Sequence, residues 1–342
     1  MNKTGQLEKE IIKELVLILL AIFCFSPLSY ADTAKERYVE FDYQVTLDHV
    51  PEQTSHLNIW LPVMPENEYQ VIEDIEIDPD DNSRFTFDKI YGNKILFYTF
   101  QSSQIPSNFR ISYKVRRREY SHKADEDLKI GASTKERPED LEKFLTPNQL
   151  VTLSPQIRQL ASRITKGKTT TINKARAIYD YVFNNVSYDK TIPGWGRGDT
   201  ERVCLIKAGN CTDFHSLFIS LARASGIPAK FVMGIPLTDK DADEIPGYHC
   251  WAEFYDGQQG WIPVDISEAW KDKTKYEYFF GNLSQNRLEF TQGRDIILEP
   301  CQKGEPLNYF IYPYIEADGK EFKEYSVKFQ FRNGVRRLSK RQ

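Results

Sequence analysis

The 342-residue chain reads as an α+β protein with an amino-terminal β-sandwich-like domain, a helix-rich middle and a carboxyl-terminal β extension. Three observations predict this. On both sides of the centre, apolar residues alternate with polar ones, the period of a half-buried strand. Between those stretches they recur every three or four residues, the period of a helix packed on one face. Aromatic residues make up 13% of the chain, with 19 Tyr and 21 Phe, and such rings favour sheets with broad buried faces.

Taken in order, the amino terminus comes first. Leu15 to Leu28 is apolar and uncharged, the length of an export-signal core and short of the roughly 20 residues a membrane span needs. Ser29-Tyr30-Ala31 puts small residues where a signal peptidase reads them, so residues 1–31 are expected to be a cleaved leader and the mature chain periplasmic or secreted. An uncleaved membrane anchor is the alternative.

Residues 32–125 carry the first strand patterns: Val39, Phe41, Tyr43, Val45 and Leu47; Leu57, Ile59, Leu61 and Val63; Phe109, Ile111, Tyr113 and Val115. Asp81-Asn82-Ser83 and Tyr91-Gly92-Asn93 are turn signals between strands. Residues 126–146 are charged, contain Pro138 and are expected to be a linker. Residues 147–275 form the core. Ser154-Pro155 starts a helix with a capping hydroxyl and a first-turn proline, followed by a stripe of Ile157, Leu160, Ala161 and Ile164. A second helix carries Ile172, Ala175, Ile178, Tyr179 and Val182. The segment from Asn184 to Asn210 is expected to be a long glycine-rich loop. A third helix carries Phe214, Leu217, Phe218 and Leu221 and stops at Gly226 with Pro228 beyond. Strands are expected over 231–237, 248–255 and 260–266. Residues 276–342 add further strand patterns, Tyr309–Ile315 and Tyr325–Phe331, around the turn Asp318-Gly319.

Composition narrows the function. The net charge is −4, and the leader removes three Lys and three Glu, so the mature charge is unchanged. A nucleic-acid partner would need a clustered basic surface; the run Arg116-Arg117-Arg118 is short, ends a strand pattern and is expected to be a solvated face. The glycine-rich loop lacks the Gly-Lys-Ser/Thr ending of a phosphate loop. Beyond the leader the cysteines are Cys204, Cys211, Cys250 and Cys301, too few for a disulfide scaffold in a chain this long. No cofactor is expected.

The chemistry gathers around Cys211. It follows Gly209-Asn210 at the junction of the loop and the third helix, where unpaired N–H groups and the helix dipole favour thiolate. His249 and Asp265 sit on two strands flanking Asp256-Gly257-Gln258. A hairpin centred on Gly257 sets His249 opposite Asp265, Trp251 opposite Pro263 and Glu253 opposite Trp261, close enough for imidazole and carboxylate to pair. That pair would supply the base and orienter of a nucleophilic triad.

Four stretches carry a family resemblance: Gly209-Asn210-Cys211-Thr212-Asp213-Phe214-His215, Ala222-Arg223-Ala224-Ser225-Gly226-Ile227-Pro228-Ala229, Tyr248-His249-Cys250-Trp251-Ala252-Glu253 and Gly260-Trp261-Ile262-Pro263-Val264-Asp265. Over roughly residues 150–275 they resemble the core of transglutaminase-like proteins. The resemblance implies a papain-like core, a Cys-bearing helix packed on an antiparallel sheet, with the catalytic triad on Cys211, His249 and Asp265. It implies a thiol-dependent amide-bond hydrolase or acyl transferase, peptidase or amidase chemistry being favoured because water needs no second binding site. The substrate would be a peptide or protein. The alternative is a non-catalytic envelope module that keeps the fold for binding. Asn210, Trp195, Tyr188 and Trp251 are candidates for the substrate groove or an oxyanion hole. A metal centre on Cys211, His215, His249 and Cys250 is not expected, because adjacent strand residues point to opposite faces.

Overall fold

A computed structural model describes residues 34–101, 105–121 and 136–335; the expected leader, and residues 126–135 of the expected linker, lie outside them. The strands of the first part are β1 (Glu36–Leu47), β2 (His56–Pro62), β3 (Gln70–Asp78), β4 (Ser83–Phe87), β5 (Lys94–Gln101), β6 (Asn108–Arg118) and the two-residue β7 (Tyr120–Ser121). Helices follow: α1 (Pro138–Glu142), α2 (Pro155–Ile164), α3 (Thr171–Asn185), α4 (Thr200–Ile206) and α5 (Cys211–Ala224), with short β8 (Ser187–Tyr188) and β9 (Ala208–Gly209) between them. The remainder is β10 (Ala229–Pro236), β11 (Ala242–Ile245), β12 (His249–Asp256), β13 (Gly260–Val264), α6 (Ile266–Lys271), β14 (Asn282–Leu283), β15 (Arg287–Gln292), β16 (Tyr314–Ala317), β17 (Lys320–Glu321) and β18 (Tyr325–Asn333).

The sandwich expected from alternation is present, but its membership differs. One sheet runs β11-β18-β1-β6-β3 and the other β17-β16-β2-β5-β4. The carboxyl-terminal strands therefore complete the amino-terminal sheets: β18 pairs with β1 over Val39↔Asn333 to Leu47↔Tyr325, and β16 pairs with β2. Val39, Phe41, Tyr43, Val45 and Leu47 all point inward, as period-two alternation requires. Rings from the two sheets meet in the core, with Tyr98 and Phe109 edge-on at 5.0 Å. Only Tyr314–Ala317 is strand where the pattern suggested Tyr309–Ile315. Of the basic run, Arg117 turns inward, 2% exposed, and donates to Tyr69 O and Arg118 O at 2.8 Å, so this run is not a solvated face throughout.

The central sheet, β13-β12-β10-β15, is antiparallel throughout. Helix α5 packs on β12 and β10 with one side and on α2, α3 and α4 with the other. Every residue from Cys211 to Arg223 is buried, so the helix is enclosed on all sides. Its polar residues are matched individually: Arg223 donates to Ala229 O at 3.0 Å and Thr146 O at 2.7 Å. The stop works as expected: Gly226 takes φ 76° and Ile227 N–H returns to Ala222 O at 3.0 Å. The segment 184–210 is more ordered than a loop, since Asp199 caps α4 by accepting from Arg202 N and β8 and β9 pair in parallel. The linker also holds a helix, α1, opened by Pro138.

Candidate active site

Cys211 is the first residue of α5, as the sequence suggested. Asn210 caps the helix: its Oδ1 accepts Thr212 N–H at 2.9 Å, and Asp213 returns the bond from Asn210 N–H at 2.9 Å. This reciprocal capping box pins the turn that presents the thiol. Asp213 also accepts the N–H groups of Gly196 at 2.6 Å and Gly198 at 3.1 Å, tying the glycine-rich segment to the start of α5. Both glycines have positive φ, 80° and 65°, which only glycine adopts without strain. Arg294, 2% exposed, holds the same segment from behind through Gly198 O at 3.2 Å and Arg197 O at 2.6 Å.

His249 opens β12, and its Nε2 lies 2.7 Å from Asp265 Oδ2. The other ring nitrogen is thereby left for Cys211, one of the groups that favour the protonated imidazole. The contact is the expected one, but its origin is different. The hairpin pairs Tyr255↔Trp261 and Glu253↔Pro263, two residues out from the register centred on Gly257. The cause is the turn. Asp256 Oδ1 accepts Gln258 N–H at 2.9 Å, and the left-handed residue is Gly260, φ 77°, which gives a three-residue loop. Asp265 is thus not a cross-strand residue. It lies past the end of β13 and caps α6, its Oδ1 accepting Glu268 N–H at 3.2 Å. A two-residue shift leaves every side chain on its original face, so His249 and Asp265 still converge.

Each ionisation has a cause. Cys211 is held well below the ordinary thiol range, first by a hydrogen bond from Cys250 and, against the penalty of burial, by the bond and charge of His249. Burial disfavours the imidazolium of His249, but the charge and hydrogen bond of Asp265 outweigh it and raise the group to about 9. Burial would raise Asp265, yet His249, Arg287 and His215 hold its carboxyl well below the usual range. The site therefore favours a thiolate–imidazolium pair backed by a carboxylate at neutral pH. His215, one turn into α5, is forced down to about 4 by burial. It is neutral, and its Nε2 accepts Ile266 N–H at 3.0 Å.

Cys250 departs from the strand-face expectation. Its sulfur reaches α5, 3.7 Å from Thr212 Oγ1 and 3.9 Å from His215 Nδ1, because β12 begins at this point over the helix terminus. Among the described residues no group of three or more His, Cys, Asp or Glu is arranged to hold a metal. Cys204, Cys211, Cys250 and Cys301 are all free thiols.

The four secondary candidates divide. Tyr188 pairs through β8 with Gly209, two residues before the thiol, and Trp195 is 39% exposed beside the loop that Asp213 ties down. Lys190 lies over both rings, at 5.9 and 5.5 Å. These two can line a groove. Asn210 is 3% exposed and is committed to the cap, its Nδ2 reaching Tyr248 OH at 3.4 Å; it is no free oxyanion donor. Trp251 is a correction: it is fully buried, packs with Tyr120, Val232 and Leu283, and donates to Glu253 at 3.2 Å. It shares its strand face with His249 but lies further along β12, where Tyr120 and Leu283 of the β7–β14 pair cover it. Sequence reasoning missed Asp213, Arg294 and Arg287. Asp213 carried a signal, being the third residue after an Asn cap; the two arginines lie far along the chain and carried none.

A buried thiol thus opens an enclosed helix, facing an imidazole at the start of β12 whose carboxylate partner lies just past the end of β13. Residues 158–266 match the model of the transglutaminase-like superfamily, so the chain carries a transglutaminase-like domain, and Cys211, His249 and Asp265 all lie within it. An uncharacterized protein of Haemophilus influenzae is 26% identical over 362 residues, covering 92% of this chain and 97% of that one. A second uncharacterized protein, from Bacillus subtilis, is 28% identical over 142 residues, 36% of this chain and 19% of that one. The crystal structure of a candidate cysteine protease from Cytophaga hutchinsonii shares the fold, with a TM-score of 0.57 and 18% identity over 90% of this chain and 93% of that one.

Proposed function

We propose that this protein is a thiol-dependent amide hydrolase, a peptidase or amidase acting through a thioester on Cys211. The observation that carries the reading is the 2.7 Å bond between His249 Nε2 and Asp265, which turns the other imidazole nitrogen to a cysteine at a helix start. The thiolate attacks the amide carbonyl carbon. The backbone N–H of Cys211, one of those a helix leaves without an intrahelical acceptor, can receive the developing oxyanion. His249 gives its proton to the leaving amine, then takes one from the water that opens the thioester. Asp265 holds the imidazole in place for both transfers.

The pH dependence tests this. Acylation needs protonated His249, so kcat/KM for a small amide should fall as pH rises through about 9. A profile that keeps rising beyond that pH would show that His249 is not the proton donor.

We further infer that the protein works in the cell envelope. The support is the uncharged run from Leu15 to Leu28 followed by Ser29-Tyr30-Ala31. Expressed in a bacterial host, the mature chain should begin at Asp32; a chain beginning at Met1 contradicts cleavage.

A further inference from the structure

Behind the Asp265–His249 pair stands a cation that a nucleophile, base and orienter do not require. Arg287, at the start of β15, is 6% exposed. Its Nη2 lies 3.5 Å from Asp265 Oδ2, the oxygen that binds His249, and 3.0 Å from Glu268 Oε2. Its Nε is buried without an acceptor among the described residues. Glu268 has a second cation, Lys271, at 2.7 Å. The charged and titratable groups around His249 are therefore Cys211, His215 and Cys250 from α5 and β12, Asp265 and Glu268 at α6, and Arg287 from β15, with Tyr179 of α3 beyond Asp265.

The two halves of a thioester mechanism ask opposite things of His249. Forming the thiolate needs an imidazole that keeps its proton. Opening the thioester needs one that has lost it, so that it can take a proton from water. After acylation the sulfur is neutral, and an imidazole backed by an unopposed buried carboxylate would stay protonated. A cation on the same carboxylate oxygen relieves that, and a second carboxylate on the cation limits the relief.

We propose that Arg287 is a positioning residue that, balanced by Glu268, sets how firmly the Asp265–His249 pair holds its proton once Cys211 bears no negative charge. This rests on the thioester reading above, but its test requires no turnover.

The measurement is the titration of His249 by 15N-histidine NMR in Cys211→Ala protein, where no thiolate faces the ring. Adding Arg287→Met should raise the His249 midpoint by about one pH unit, the Coulomb effect of a unit charge a few ångströms away at intermediate dielectric. Adding Glu268→Gln, which keeps the side-chain shape, should lower it by a similar amount. Arg287→Lys should return it towards the starting value. Opposite shifts from the two charge deletions are the expected signature, which a merely structural arginine would not produce. If Arg287→Met does not fold, the downward shift in Glu268→Gln still decides. An unchanged midpoint in Glu268→Gln, or a shift in the same direction for both variants, overturns the proposal. If Cys211 instead proves unreactive while these shifts appear, the thioester reading fails and the electrostatic one stands.

Discussion

Replacing Cys211 with Ser should lower hydrolysis of an activated ester such as p-nitrophenyl acetate, and of any amide substrate, by at least about 10³-fold. The substitution changes one atom in a position that is 3% exposed, so urea denaturation should show a fold close to wild type in stability. What is lost is the readily ionised group. The surroundings of Cys211, a Cys250 hydrogen bond and the His249 imidazolium, stabilise a thiolate and cannot bring a serine hydroxyl, with its far higher pKa, into its ionised form. A Cys211→Ser protein that retained about a tenth of wild-type turnover would place the chemistry elsewhere. A host phenotype that the variant preserves and a deletion loses would favour the binding-module alternative.

The second large effect belongs to His249. In His249→Ala the thiol loses both the hydrogen bond and the positive charge, while burial continues to oppose ionisation. The Cys250 bond remains and keeps part of the lowering, so at pH 7 the thiolate fraction falls without vanishing, and alkylation of Cys211 by iodoacetamide should slow about 10-fold or more. Peptide-resolved mass spectrometry distinguishes Cys211 from Cys204, Cys250 and Cys301. An unchanged Cys211 rate in the variant would remove the ion pair from the account.

How far the sequence carried this site depends on the kind of signal each part leaves. The helix start at Asn210-Cys211 was legible because the glycine-rich segment before it and the apolar stripe after it are local. The His249–Asp265 contact was legible for a partly mistaken reason: the hairpin was centred on Gly257, whereas the left-handed turn residue is Gly260. Parity of register, which a two-residue error preserves, rescued the pairing. Asp265-Ile266-Ser267-Glu268 did carry the local mark of a helix start, a capping Asp with Glu three residues on, and reading it would have ended the strand at Val264. Alternation revealed β1 and β18 separately, but their pairing across the whole length of the chain could not be read locally, so the carboxyl-terminal strands looked like an appendage. Arg287 and Arg294 were invisible for the same reason: each acts on residues far away in sequence, and a lone arginine has no pattern.

The most direct test of the central claim is the covalent intermediate itself. Wild-type protein mixed with p-nitrophenyl acetate and quenched in acid while turning over should carry one acetyl group, mapped to the peptide holding Cys211 and released by hydroxylamine at neutral pH, as a thioester is. Cys211→Ser protein under the same conditions should show no such burst. Acetylation confined to lysines, with Cys211 unmodified in the turning-over enzyme, would contradict the claim that this thiol is the nucleophile.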